Sequence, residues 1–388
     1  MNIASLSASY LRARALQTAL SLLLLALGVA TIVLLLLVVS QLEERMNRDA
    51  RGIDLVVGAK GSPMQLILSG IYHVDAPTGN IPLAAAQSLA RHRFIKRAIP
   101  LALGDSWHGY RIVGAGSEYA EHYGATLASG RYYEKPMEAV LGAEVAARTG
   151  LGVGGRFVGA HGIGGEGDEH AEAPYTVVGV LHGTRSVIDR LVLTRIDSVW
   201  QVHGAHGEPE VTVLLVQYAS PLAAASLPRQ VNSQTELQAA SPAYETARLF
   251  RMVGVGVEAL RAFAIILMVA AGLSVFIALY TALEERRYDL AVMRTLGASP
   301  RRLFGLLLTE GIVLALAGAV LGVLFGHVLA SLLGVWLERQ QQYAVSGLAW
   351  QPQELWLAAA AVGVGLAAAL LPAWRAYRTD VSRTLAQG

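Results

Sequence analysis

The chain has 388 residues, 54% hydrophobic and only 15% charged, with a mean hydropathy of +0.44. A soluble domain usually carries about 25% charged residues, so this balance points to a membrane protein. A net charge of +2 is too small to argue for a nucleic-acid partner, and the absence of cysteine excludes a disulfide scaffold and any cysteine-ligated zinc or iron–sulfur site.

Four runs lack Asp, Glu, Lys and Arg and are long enough to span a bilayer, which takes about 20 apolar residues at ~1.5 Å rise each. They are 15–42, 262–283, 311–337 and 355–374. The first follows Arg12 and Arg14, as a signal peptide would. Its apolar region continues through "LLLLALGVATIVLLLLVVS", beyond the roughly 7–15 residues of a signal, which predicts an uncleaved anchor.

The segment 43–258 alternates strand-like and helix-like pieces, an α+β pattern. "IDLVVGA" and "YRIVGAG" are β-branched and read as strands, as does "YTVVGVLHGT". Ser62 and Pro63 predict a helix cap and first helical position, with Gly70 as the stop. "LAAAQSLARH" predicts a helix, and "DAPTGNIP" a turn cluster. Nine of the ten histidines fall in this segment. His161, Asp168, Glu169 and His170 in "HGIGGEGDEH", and His203, His206 and Glu208 in "HGAHGEPE", are nitrogen and oxygen donors of the kind zinc accepts. Their spacing matches no strong metal motif, and the surrounding glycines fit a solvated surface loop equally. His73, His92, His108, His122 and His182 read as surface or packing residues.

In the third run, Gly318, Gly322 and Gly326 recur every four residues, a small-xxx-small row that lets another helix approach closely. Packing within one subunit and a dimer seam both satisfy it. His327 is the ionisable residue within the runs and reads as a tolerated polar group, so the spans offer little lining for a hydrophilic solute.

Short loops rich in Lys and Arg stay in the cytoplasm. Arg12 and Arg14, then Arg286, Arg287, Arg294, Arg301 and Arg302, then Arg375, Arg378 and Arg383 fall on one side by this rule, while 338–354 holds only Arg339. Both ends of the chain and the stretch 284–310 are therefore expected inside, and 43–258 outside. The expected order is an N-terminal cytoplasmic segment and first span (1–42), exported domain (43–258), second span (259–283), cytoplasmic elbow (284–310), third span (311–337), short outer loop (338–354), fourth span (355–374) and cytoplasmic tail (375–388). Within the elbow, Leu290, Met293 and Leu296 lie at helical spacing beside Arg294, Gly297 can end that piece, and Ser299-Pro300 can start the next helix. A polybasic element beside a membrane can bind anionic lipid; an apolar stripe with a glycine turn suits a protein groove.

The stretch "EERRYDLAVMRTLGASPRRLF" resembles the cytoplasmic signature of FtsX/MacB-like permeases, the membrane subunits of type VII ABC transporters. "LPAWRAYRTDVSRTL" is similar to their C-terminal tail, and "LASGRYY", "AVLGAEVAARTGLGVGGRF" and "YTVVGVL" resemble their MacB-type periplasmic domain; the His-rich loop departs from that pattern. The resemblance implies four transmembrane helices in 1 + 3 order, with a large α+β periplasmic domain between helices 1 and 2, in a bacterial inner membrane. It implies a coupling helix in which Arg286, Arg287, Asp289, Leu290, Arg294, Thr295, Leu296, Gly297 and Ala298 contact a separate cytoplasmic ABC ATPase, present in two copies. No G-x-x-x-x-G-K-[ST] motif occurs here, so ATP and Mg are expected on that partner and no cofactor in this chain. A second permease, expected to be an identical chain, membrane lipids and a periplasmic partner protein complete the expected partners. The implied function is mechanotransmission, with lipoprotein, lipid or peptide handling, activation of a cell-wall enzyme or zinc homeostasis as open cargo roles. "VVGAKGSPMQLILSGIYHVDAPTGNIP" is similar to permeases grouped with zinc-responsive genes. The competing expectations are a membrane-anchored sensor or scaffold without an ATPase, and a membrane enzyme, for which no catalytic constellation stands out.

Overall fold

The computed structural model describes residues 15–162, 170, 172–202, 208–285, 291–292, 294–341 and 345–378, with the backbone alone at 339–341. The chain divides into two compact units: Glu43–Met252, and the residues up to Leu42 together with those from Val253 onward.

The first unit is a mixed sheet with helices. Its strands are β1 (Leu55–Ala59), β2 (Ile81–Pro82), β3 (Ile95–Trp107), β4 (Tyr110–Gly114), β5 (Leu127–Gly130), β6 (Glu138–Leu141) and β7 (Arg156–Phe157). There follow β8 (Ala160–His161), β9 (Tyr175–Leu181), β10 (Leu191–Thr194), β11 (Glu210–Val211), β12 (Val213–Tyr218) and β13 (Leu237–Ala240). Among the described residues the main sheet runs β13-β1-β12-β3-β4-β10-β6-β9-β5, with β7 beside β9 and β8 beside β3, and β11 pairs with β2 apart from it. In β9 buried and half-buried residues alternate, the period-two pattern of a strand with one face inward. Every residue of β4 and β10 is buried; these two pair in parallel.

β3 joins the two halves of the sheet. Its first half pairs with β12, from Ile95 opposite Tyr218 to Leu101 opposite Val213. Its second half pairs with β4, and the register shifts between Leu103 and Ser106. At that irregularity Asp105 lies opposite His161 of β8. Such bulges re-aim a side chain where a ladder would fix it otherwise.

Local chemistry starts the helix Pro63–Gly70: Ser62 Oγ accepts from the Gln65 N–H at 3.4 Å, and Pro63 holds the first turn. Its Leu66 and Ile67 enter the main core with Val56, Leu101, Val113, Tyr119 and Val213. Full burial of each such aliphatic side chain stabilises by about 1.5–3 kcal/mol. The ends of two long helices share this core. Met46, near the end of Ala15–Asp49, is buried in it, and Leu249 and Phe250, near the start of Pro242–Glu285, pack against it. Tyr72 OH ties both, contacting Met46 O at 3.4 Å and Thr246 Oγ1 at 2.9 Å. Asp49 accepts from the Val187 N–H at 2.8 Å.

Among the described residues four helices are long and apolar enough to cross a membrane, and the greater part of each belongs to the second unit: Ala15–Asp49, Pro242–Glu285, Pro300–Gln341 and Gln353–Tyr377. Small residues set their spacing. A Cβ on Gly318 would stand 2.7 Å from Leu25 Cδ2, one on Gly322 2.5 Å from Val29 Cβ, and one on Gly326 2.7 Å from Val33 Cβ. The glycine row thus faces the first span of the same chain. Gly311 and Gly365 meet Ala369 and Ala315 in the same close manner between the third and fourth spans. Without a hydrophobic drive inside lipid, such close approach is what holds spans together.

The link before the fourth span is pinned by side chains. The Gln41 amide brackets Ser346, donating to its carbonyl and accepting from its N–H, both at 2.8 Å. His327 contacts Gly347 O through Nδ1 at 2.6 Å and Glu354 Oε2 through Nε2 at 2.8 Å. Glu354 also accepts from the Gln351 N–H at 3.0 Å, at the start of the fourth span, where the helix dipole favours an acid. His327 is therefore a clamp between the third span, the link and the fourth span.

Candidate functional site

The first site is the tip of the elbow. Arg286, Arg287, Asp289, Leu290 and Met293 lie outside the described residues. Ala291 is fully buried, and the chain then closes a final turn: the Leu296 N–H donates to Val292 O at 3.0 Å and the Gly297 N–H to Arg294 O at 3.1 Å. Thr295 Oγ1 donates to Val292 O at 2.7 Å. Gly297 takes φ +97, the left-handed conformation that only glycine adopts without strain, and the helix of the third span begins at Pro300. Thr295, Leu296 and Gly297 are exposed, Arg294 and Ala298 half-buried, and Arg301 and Arg302 exposed beside them. Leu296 is 82% exposed, whereas Leu303 and Leu307, further along the chain, are buried in one cluster with Val275, Leu279 and Ala373. Leu296 is thus an exposed apolar side chain with the exposed Arg301 and Arg302 close by in sequence, the residue types of a candidate contact surface.

The second site is in the exported unit. Asp105, His161 and His170 offer ligand atoms that lie within 4.8 Å of one another. His161 Nδ1 stands 3.5 Å from Asp105 Oδ1, and His170 Nε2 3.6 Å from Asp105 Oδ2. The two imidazoles meet edge to face, centroids 4.3 Å apart. β8 places His161, and the His170 N–H donates to Gly159 O at 3.0 Å. Asp105 is 3% exposed, while the His161 side chain is 49% exposed. Buried Arg111 follows on β4, opposite Ser106. Burial lowers its guanidinium pKa, and the charges of Asp105 and Asp75 oppose that shift. Burial, then Asp105, pushes the Tyr175 phenol up.

Of the residues proposed from sequence for a metal, the structure brings His161 and His170 together and adds Asp105, which no local pattern singled out. Glu208 is not in this group; it lines a pocket with Asn80, Trp200, Glu210 and Thr212. Asp168, Glu169, His203 and His206 lie outside the described residues. The link formed by His327 and Glu354 was equally absent from the sequence reading.

Comparison with protein-family models matches residues 18–234 to the MacB-like periplasmic core domain and residues 261–381 to the FtsX-like permease C-terminal. The His/Asp group is within the first match and the elbow tip within the second. Among solved structures, the periplasmic region of MacB from Actinobacillus actinomycetemcomitans is 14% identical, covers 53% of this chain and 97% of that one, and has a TM-score of 0.35. The extracellular domain of the noncanonic ABC-type transporter YknZ from Gram-positive bacteria is 15% identical, covers 48% and 98%, and has a TM-score of 0.31. Comparison with curated proteins returns no match.

Proposed function

Because the chain belongs to the FtsX/MacB-like family of ABC transporter permeases, we propose that it carries conformational work from a separate cytoplasmic ATPase to its periplasmic domain. The observation that supports this most is the course of the first two long helices. Ala15–Asp49 and Pro242–Glu285 are each unbroken, their outer ends are rooted in the exported core, and the second leads directly to the elbow. A stiff helix transmits displacement along its axis where a hinged one would absorb it.

In this reading two ATPase subunits grip the elbows of two permeases, the second an identical chain, in a bacterial inner membrane with both ends in the cytoplasm. Leu296 and the side chains of Thr295 and Arg294 fill a groove on the ATPase, and Gly297 holds the turn that presents them. Arg286, Arg287, Asp289, Leu290 and Ala298 complete the contact. ATP and Mg belong to the partner, and hydrolysis is its chemistry. The tightly packed spans fit this division, since motion crosses the membrane and cargo acts at the periplasmic face.

Co-purification from the native membrane tests the reading. The wild-type chain is expected to bring down an ABC ATPase, and Leu296→Asp or Arg294→Glu to lose it while the permease remains folded. Retention of the ATPase by both variants, or no ATPase with the wild type, contradicts the proposal and leaves a membrane-anchored sensor as the better account.

A further inference from the structure

We infer that Asp105, His161 and His170 form a binding site for a zinc-class divalent cation on the periplasmic domain. Two imidazoles and one carboxylate are donors that zinc accepts, whereas calcium and magnesium take sets made of oxygen. Metal–donor bonds of ~2.1 Å put the corners of a coordination tetrahedron ~3.4 Å apart. The two nitrogen–oxygen separations, 3.5 and 3.6 Å, are near that edge, each to a different oxygen of the Asp105 carboxylate, and one donor atom from each of the three residues lies within 4.8 Å of the others. Both separations are longer than the ~2.9 Å of an ordinary N–H···O hydrogen bond.

The scaffold suits the chemistry. The register shift in β3 leaves Asp105 facing β8, where a regular ladder with β4 would have directed the strand differently. The carboxylate forms a buried floor, and the half-exposed His161 leaves an approach from solvent. Arg111 accounts for a buried carboxylate in this layer, but not for the convergence of two imidazoles on it. Three protein donors leave a fourth position for water or for a donor carried by a periplasmic ligand, the arrangement of zinc sites that stay open. None of this requires the elbow or an ATPase, so the two proposals stand or fall separately.

The test uses the full chain, free of any histidine tag, purified in detergent and stripped with chelator. It is titrated with zinc chloride by calorimetry and with cobalt(II) by visible spectroscopy. Wild type is expected to bind about one ion per chain and to give the d–d bands of four-coordinate cobalt. His161→Gln combined with His170→Gln is expected to weaken zinc binding by ~100-fold or more and to abolish the bands. Asp105→Asn should act alike, and if burial makes that variant unstable the histidine pair decides. His182→Gln, on an exposed histidine, should leave the isotherm unchanged. No zinc uptake by wild type, or equal isotherms for wild type and the double variant, overturns the inference.

Discussion

His73 shows what burial does to one titratable residue. It lies in the left-handed region at φ +56, is buried, and shares a hydrogen bond with the Tyr119 hydroxyl at 2.9 Å. Burial, with help from Arg111 and Arg190, pushes its pKa from 6.5 down to about 3. The folded domain therefore keeps this ring neutral where the unfolded chain takes up a proton. Its contribution is complete above about pH 6.5 and is lost as the pH falls toward 3, at up to about 1.4 kcal/mol per pH unit. Asparagine tolerates the same backbone conformation and does not titrate. Thermal unfolding of the full chain between pH 7 and roughly pH 4.5 should thus decline less steeply for His73→Asn than for wild type; parallel profiles would mean that His73 is protonated in the fold. The sequence marked His73 as a packing or surface residue, and only the fold identifies it as packing. Asp105 was harder to read. It sits in "LALGDSW", where the nearby His108 is not its partner in the group, and a strand register between β3 and β8 brings it to His161.

At the scale of elements, legibility followed how local the cause was. The cap at Ser62 and Pro63, the β-branched strands and the four apolar runs each depend on a few adjacent residues, and all appear where their local patterns placed them. The glycine row was visible for the same reason, but its partner was not, because small-xxx-small spacing says that a helix approaches and not which one. Here Leu25, Val29 and Val33 of the first span stand against it. Gly322→Leu would drive side-chain atoms into Val29 and the Ala26 carbonyl, 2.5 and 2.8 Å from the added Cβ. Overpacking of this kind costs about 1–3 kcal/mol, so the variant should unfold at lower temperature in detergent and yield less folded protein. An unchanged midpoint would mean that the first span does not approach at Gly322. The clamp of His327 on Gly347 and Glu354 belongs to the same scale. Its partners are separated in sequence, and hydropathy alone shows only a polar residue in an apolar run.

At the scale of the whole molecule, the proposed coupling is between the elbow around Leu296 and the periplasmic domain. The 1 + 3 order and the inserted α+β domain were legible because hydropathy and arginine placement act over whole segments. No cargo was legible, because the composition of the Gly- and His-rich loops fits a solvated surface and a binding site equally. The proposed metal site can be tested by itself.

The most direct test of the central claim is a distance measured across the periplasmic face while the ATPase changes state. The chain has no cysteine, so Ala225→Cys, on the exposed side of Pro221–Gln234, accepts a single spin label per permease. In nanodiscs containing the permease pair and its ATPase, double electron–electron resonance should show one label–label distribution without nucleotide and a shifted one when ATP is trapped. Leu296→Asp should keep the nucleotide-free distribution under both conditions. Identical distributions in every nucleotide state, from a wild-type complex that binds and hydrolyses ATP, would contradict the account.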